Sequence, residues 1–451
     1  MTGTVAVVTL GCGRNEADSD QVSGALDAAG IRLVDEPRDA AVVLVNTCTF
    51  IAAARRESVD TVLDACDLGG GQRVLVIGCM AERHRAELAA AIPEVAGVLG
   101  FADYPRLPAV VSALLDGGEL ADAGPAPAGP VARRGLPLLP VSSPPAAGDA
   151  PPTAAFPVRT VPRGPWAYLK VAGGCDRVCT FCTIPSFRGR FASRPLEQLV
   201  AEAGWLAANG ARELVCVSEN TTSWGKDLPC GRRGQADLVR TLSAVEGVQR
   251  LRLLYLQPAE IVPELLDAMA ASPAVAGYYD LSLQHASGRV LAGMGRSGGA
   301  ERFLGLLDGI RVRDPGAVFR SSFIVGFPGE TEDDVEVLAG FLAEANLDWS
   351  GFFTFSVEEG TVSATMPGQV PQAEARARRD HLVDVAEAVA ETRAAAFVGR
   401  QLNVLVEEQD GPDAVGRSQR EAPETDGEVR LEGCTVPVGR MVRARVTAAV
   451  G

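Results

Sequence analysis

Three of the ten cysteines, Cys175, Cys179 and Cys182, stand together in GGCDRVCTFC, directly after the strand-like run AYLKVAG. Three thiolates at the spacing C-x3-C-x2-C on one short loop can hold three irons of a 4Fe-4S cubane and leave the fourth iron open to another ligand. A zinc knuckle is the competing use of such a loop, but structural zinc takes four protein ligands. No histidine is near, and the next cysteine, Cys216, comes 34 residues later. The spacing favours iron.

A second set is dispersed. Cys12, Cys48 and Cys79 are 36 and 31 residues apart, yet each falls at or just past the carboxyl end of a predicted parallel strand. Those ends share one edge of a parallel sheet, where ligand sites of open α/β sheets lie. The repeated position points to a second cluster with an open iron; a zinc site with three cysteine ligands is the alternative. Cys66 and Cys216 lie within apolar stretches and read as core, while Cys230 and Cys434 sit near turns with no evident partner. His84 and His381 belong on solvated helical faces. His285, in LSLQHAS, either lines a pocket or is held in a structural hydrogen bond. In VGFPGE, Gly326 and Gly329 either approach a ligand closely or form a tight turn; the segment lacks the lysine of a phosphate loop. From Arg159 to Val200 there are seven basic residues (159, 163, 170, 177, 188, 190, 194) against Asp176 and Glu197, a local charge of +5. Such a patch would hold an anionic carboxylate or phosphate, or balance the thiolates.

The elements that must position these residues alternate. Residues 1–116 run strand, helix, strand, helix, with strands VAVVTLG, AAVVLVNTC and RVLVIGC and helices in NEADSDQVSGALDAAG, from Ile51 and from Glu82, which predicts a parallel α/β layer domain. Residues 117–165 hold twelve of the 29 prolines (125, 127, 130, 137, 140, 144, 145, 151, 152, 157, 162 and 165) among Ala and Gly, the composition of an extended linker. Residues 166–396 repeat the alternation through AYLKVAG, ELVCVSE, LRLLYL, YYDLSLQ, SSFIVGF and WSGFFTFSV, six β/α units of a partial (β/α) barrel, followed by a long helix from Gln372 to about Phe397. Residues 397–451 carry four short strands suited to a small antiparallel barrel.

Of 451 residues, 47% are hydrophobic, enough for sizeable cores, and 42 basic against 57 acidic residues give a net charge of −15. That balance argues against a broadly basic nucleic-acid binder. No apolar run approaches the ~20 residues of a bilayer span, so the expectation is a soluble cytoplasmic protein whose cysteines serve metals or cores rather than disulfides. Only Lys170 and Lys226 are lysines; the other basic residues are arginine.

GGCDRVCTFC followed by IPSFRGRFASRP resembles the radical S-adenosylmethionine (SAM) enzymes. The preceding LGCGRNEADSD and NTCTF, with Arg14 where lysine is common, resemble the methylthiotransferase branch of that family. The resemblance covers nearly the whole chain apart from the proline-rich segment. It implies a methylthiotransferase N-terminal domain, a radical SAM partial TIM barrel and a C-terminal TRAM domain, a small OB-like barrel. IPSFRG, YYDLSLQHAS and GRSQREAPETDGEV are closer to the members that modify an aspartate of a small-subunit ribosomal protein than to those that modify a transfer RNA adenosine. From Ala396 onward nine acidic and seven arginine residues give −2, poor for gripping phosphates and suited to docking a basic protein. The resemblance further implies two 4Fe-4S clusters and SAM, with the loop cluster generating a radical that removes hydrogen from the aspartate β-carbon. The second cluster would provide sulfur and a second SAM the methyl group, with an electron donor as a further partner. Phe181, between loop cysteines, would pack on the adenine or in the core; beyond the six cysteines no catalytic residue is assigned. A non-enzymatic iron-sulfur or zinc protein with a nucleic-acid-binding tail is the reading of another class.

Overall fold

The computed structural model describes residues 3–118, 141–142 and 156–449. Within it the chain forms two compact units, one of Met1–Val161, Tyr168–Arg177 and Thr183–Glu202, the other of Pro162–Ala167, Val178–Cys182 and Ala203–Gly451.

The first unit is built on a five-stranded sheet, β1 (Thr4–Thr9), β2 (Arg32–Leu33), β3 (Val42–Thr47), β4 (Arg73–Ile77) and β5 (Gly97–Val98), in the order β2-β1-β3-β4-β5. Every pairing is parallel. VVLVNT at the centre is buried at all six positions, as a strand covered on both faces must be. On one face Val43, Val45, Val74 and Val76 pack with Val62, Ala65 and Leu88 from the helices. The register, Thr9 opposite Asn46 and Asn46 opposite Ile77, brings the carboxyl ends of β1, β3 and β4 level. Helices Gly13–Ala28 and Ala52–Cys66 follow β1 and β3. The helix expected from Glu82 instead starts at Gly78, directly at the end of β4, and breaks at His84 (φ −124°, ψ 33°) before resuming over Arg85–Ala91. Most of the proline-rich stretch lies outside the described residues; Val141–Ser142 pairs antiparallel with Phe156–Pro157.

In the barrel segment the strands are β6 (Trp166–Lys170), β7 (Glu213–Val217), β8 (Arg250–Leu253), β9 (Tyr278–Gln284), β10 (Val318–Val325) and β11 (Trp349–Thr354). They form two three-stranded sheets, β8-β7-β6 and β9-β10-β11, between which isolated parallel bridges occur at Leu251–Val275 and Leu256–Leu281. The cause is local. Tyr255 takes a left-handed φ of 61° and donates its N–H to the Asp280 carboxylate at 2.9 Å, so the chain after β8 leaves strand geometry.

The long helix, Gln372–Ala395, ends two residues short of expectation. Beyond it β12 (Gln401–Asp410), β13 (Asp413–Arg417), β14 (Val429–Leu431) and β15 (Met441–Arg445) make a four-stranded antiparallel sheet ordered β14-β13-β12-β15, with Val404, Val406, Ala414 and Leu431 on its apolar side. Barrel strands anchor this sheet. Arg250 on β8 donates to the carbonyls of Asn403, Arg417 and Ser418 at 3.0 Å each, and Arg252 to that of Gln419 at 2.9 Å. The fully buried Glu213 on β7 balances Arg252 at 2.7 Å and Arg250 and Arg417 at 3.2 Å. Among the described residues no helix is long and apolar enough to cross a membrane.

Candidate functional site

Each strand-end cysteine is fixed by its neighbours. Cys12 is the residue before helix Gly13–Ala28 and its carbonyl accepts the Asn15 N–H at 2.7 Å. Asn15, fully buried, donates its amide to the carbonyls of Leu10 (2.7 Å) and Thr47 (3.2 Å), tying the Cys12 loop to the end of β3. Cys48 donates its N–H to Ser58 Oγ at 2.9 Å, and that hydroxyl donates back to the Cys48 carbonyl at 3.0 Å. Cys79 lies in the first turn of helix Gly78–Arg83. Two of the three follow a glycine with positive φ, Gly11 (+104°) and Gly78 (+90°). A Cβ on Gly11 would come within 2.9 Å of Cys48 Sγ, and one on Gly78 within 2.7 Å of the Thr47 carbonyl oxygen. Only glycine lets these three loops approach.

Two guanidiniums face the thiols. Arg14 Nε lies 3.2 Å from Cys12 Sγ and Arg188 Nη2 3.0 Å from Cys79 Sγ. Burial alone would raise the Cys12 thiol, but Arg14 and Arg188 outweigh it and hold the group below its ordinary value. Burial dominates at the other two, raising Cys48 and pushing Cys79 up to about 11 despite Arg188. Three thiols gathered at one sheet edge, with cationic donors supplied, suit an anionic cluster of several irons.

The loop cysteines are all half-buried. In the first unit Gly174 (φ +75°) lets Cys175 donate its N–H to the Gly189 carbonyl at 3.1 Å; a Cβ there would lie 2.7 Å from that same oxygen. In the second unit Thr180 donates its N–H to the Met294 carbonyl (3.1 Å) and its hydroxyl to that of Gly293 (2.8 Å). The Cys182 N–H reaches the Cys179 carbonyl at 3.2 Å. Arg296 Nη1 is 3.6 Å from Cys179 Sγ, and its other nitrogen donates to Gln257 Oε1 at 2.5 Å and to the Ser282 carbonyl. Phe181, between Cys179 and Cys182 in sequence, is half-buried.

The basic stretch is used differently from the expected anion site. Arg159 pairs with Glu202 (2.6 Å) and Asp20 (2.7 Å), Arg194 with Glu202 (2.6 Å), and Lys170 (2.5 Å) and Arg188 (2.9 Å) both with Asp18. All four cations are buried. The carboxylates of Asp18 and Asp20 come from more than a hundred residues earlier, which is why the local count of +5 misled. Arg188 keeps part of the second expectation, since it does face a thiol.

Both glycines of VGFPGE make the contacts of a tight turn. Gly326 (φ +80°) donates its N–H to the Glu330 carboxylate at 2.9 and 3.0 Å and packs on Ala375, and the Gly329 N–H goes to the Gly368 carbonyl at 2.7 Å. His285 takes the structural role: fully buried, it accepts the Ser287 N–H on Nδ1 at 2.9 Å, with Nε2 3.4 Å from Glu330. Cys216 is core, its thiol pushed up to about 12 by burial. Cys66 and Cys434 pack beside the cores of their sheets, and Cys230 is exposed. Asn15, Asp18 and Arg296 were not singled out from the sequence, Arg14 entered only as a motif departure, and Arg188 only as one of the seven basic residues of the patch. The signal available was the glycine before Cys12, Cys79 and Cys175.

Comparison with known proteins agrees with this geometry. Residues 4–100 match the family described as Uncharacterized protein family UPF0004, residues 169–342 the Radical SAM superfamily and residues 398–451 the TRAM domain. The ribosomal protein uS12 methylthiotransferase RimO of Kineococcus radiotolerans is 46% identical over 470 residues, covering 99% of this chain and 96% of that protein. The protein of the same name from Acidothermus cellulolyticus is 47% identical over 452 residues, covering 98% and 93%. Among solved structures the radical SAM methyltransferase TsrM of Kitasatospora setae has a TM-score of 0.54 at 18% identity, over 77% of this chain and 72% of that one, a likeness of fold. With its thiols on the sheet edge and its loop cysteines in the barrel segment, and with near-complete coverage of such relatives, the chain belongs to the RimO family of radical SAM methylthiotransferases, enzymes that use SAM and 4Fe-4S clusters.

Proposed function

We propose that Cys175, Cys179 and Cys182 hold one 4Fe-4S cluster and Cys12, Cys48 and Cys79 a second, and that the substrate is an aspartate of ribosomal protein uS12, modified in the cytoplasm. The observation that carries this reading is the convergence of three thiols from three strand ends, two of them facing arginines. Held by Cys175, Cys179 and Cys182, a cluster would supply the one-electron reduction of SAM, and one held by Cys12, Cys48 and Cys79 would supply an iron to which sulfur could be delivered. The chain's own residues set the geometry. Asn15 and Ser58 fix the backbones bearing Cys12 and Cys48, Arg14 and Arg188 offset thiolate charge, and Arg296 orients Cys179 against Gln257. We assign SAM to the barrel segment, with Phe181 beside it; the amides of Gly326 and Gly329 are already engaged within the protein. Domain limits of 1–116, 166–396 and 397–451, with 117–165 as linker, are part of the same proposal, as is an external electron donor.

Reconstituted without oxygen, the chain should bind ~8 irons in two cubanes. Replacing Cys175, Cys179 and Cys182 by Ala should halve the iron and abolish reductive SAM cleavage. Replacing Cys12, Cys48 and Cys79 should also halve it, retain SAM cleavage and abolish sulfur insertion. Retention of SAM cleavage by the first variant would overturn the assignment. Offered both uS12 and transfer RNA, the enzyme should add a methylthio group in place of hydrogen on the protein's aspartate, read by mass spectrometry. A gain on transfer RNA alone would move it to the other branch.

A further inference from the structure

Arg188 stands in the segment that follows the cysteine loop, yet its guanidinium serves the strand-end cysteines. It is fully buried, with Nη1 on Asp18 Oδ2 at 2.9 Å and Nη2 shared between Asn15 Oδ1 at 2.7 Å and Cys79 Sγ at 3.0 Å. The Phe101 ring lies under it at 4.8 Å. Two features give it more than a structural part. Asp18 is also paired with Lys170 at 2.5 Å, so that carboxylate is shared and does not belong to Arg188 alone. The donor is also held by Asp18, Asn15 and the Phe101 ring and aimed at the sulfur of Cys79, while Arg14 stands beside Cys12.

We propose that Arg188 is a positioning residue that tunes the redox poise of the strand-end cluster through a charge-assisted hydrogen bond to the Cys79 thiolate. The inference rests on the reading that Cys12, Cys48 and Cys79 hold that cluster. Reduction adds negative charge to an already anionic group. A buried guanidinium on a cluster ligand stabilises the reduced form more than the oxidised form, and hydrogen bonds to the ligand sulfurs are among the determinants of cluster potential. Arg188 therefore raises the potential. Lysine would keep the charge but not the fork that serves Asp18, Asn15 and Cys79 together.

The test uses full-length chain with Cys175, Cys179 and Cys182 replaced by Ala, reconstituted with iron and sulfide, so that only the strand-end cluster remains. Its reduction is followed by dye-mediated titration with dithionite, alongside iron content. Arg188→Gln should retain ~4 irons and shift the oxidised-to-reduced ratio at fixed potential at least tenfold toward oxidised, which is 59 mV for one electron; Arg188→Lys should fall between. An unchanged midpoint in Arg188→Gln with iron retained would overturn the proposal. Loss of iron in Arg188→Gln together with an unchanged midpoint in Arg188→Lys would also overturn it, reducing Arg188 to a packing role. Absence of iron in the parent variant would instead remove the reading of the cluster ligands, and the inference with it.

Discussion

Gly78 shows how narrowly a single residue is specified here. With φ at +90° and the Thr47 backbone within 2.7–2.8 Å of any added Cβ, Gly78→Ala must move the turn that carries Cys79. In the background lacking the loop cysteines this variant should lose most of its ~4 irons, measured per chain. Gly305→Ala, in open space within helix Ala300–Arg313, should keep them and gain up to ~1 kcal/mol of stability. Asp18 is the opposite case, a charge that two others need. Asp18→Ala leaves Lys170 and Arg188 without it, and breaking a buried pair in this way costs about 3–5 kcal/mol, which should appear as a lowered thermal midpoint of the reconstituted protein. At this scale the meeting of Cys12, Cys48 and Cys79 at one sheet edge was legible because each stands at the carboxyl end of a parallel strand. Arg188 was legible only as a member of the basic stretch; its pairing with Asn15, Asp18 and Cys79 was not, since they lie 109–173 positions away.

Among the elements, the strands were legible wherever a β-branched run was bounded by turn residues, and β3 and β4 fall where those runs lie. The split between β8 and β9 was not, because it arises from the left-handed backbone at Tyr255 and its bond to Asp280, a residue of the next strand. Nor was the early helix at Gly78, which begins as soon as β4 ends. The tail's attachment depended on pairs no local pattern reveals, with Glu213 of β7 meeting Arg417 of β13. Burial would raise the Glu213 carboxyl, but Arg252, Arg417 and Arg250 outweigh it and bring it to about 2. Because the folded value lies below the ordinary 4.5, its stabilisation is present above that pH and is lost as pH falls through about 2. The full displacement corresponds to ~3 kcal/mol. Denaturant midpoints of the chain and of Glu213→Gln should therefore differ most near neutrality and converge in acid. Equal separation at pH 7 and pH 3 would exclude this origin.

For the molecule as a whole, a net charge of −15 sets how a basic protein substrate is met. Association with uS12 should slow as salt rises, because steering between opposite charges is screened over about 8 Å at physiological ionic strength. Stopped-flow measurement of the association rate across a salt series checks this, and a flat rate would place recognition in uncharged contacts. The two sets of cysteines also differ in when each can come into being. Cys175, Cys179 and Cys182 are neighbours along the chain and remain so in any conformation. Cys12, Cys48 and Cys79 meet only after β1, β3 and β4 have paired in register. The first set can chelate iron on a nascent, unfolded polypeptide, whereas the second is created by folding, so that occupation of it adds directly to the stability of the sheet. On the ligand assignment proposed above, maturation has a built-in order: metal offered early reaches Cys175, Cys179 and Cys182, and the strand-end set becomes loadable only once β1, β3 and β4 have paired.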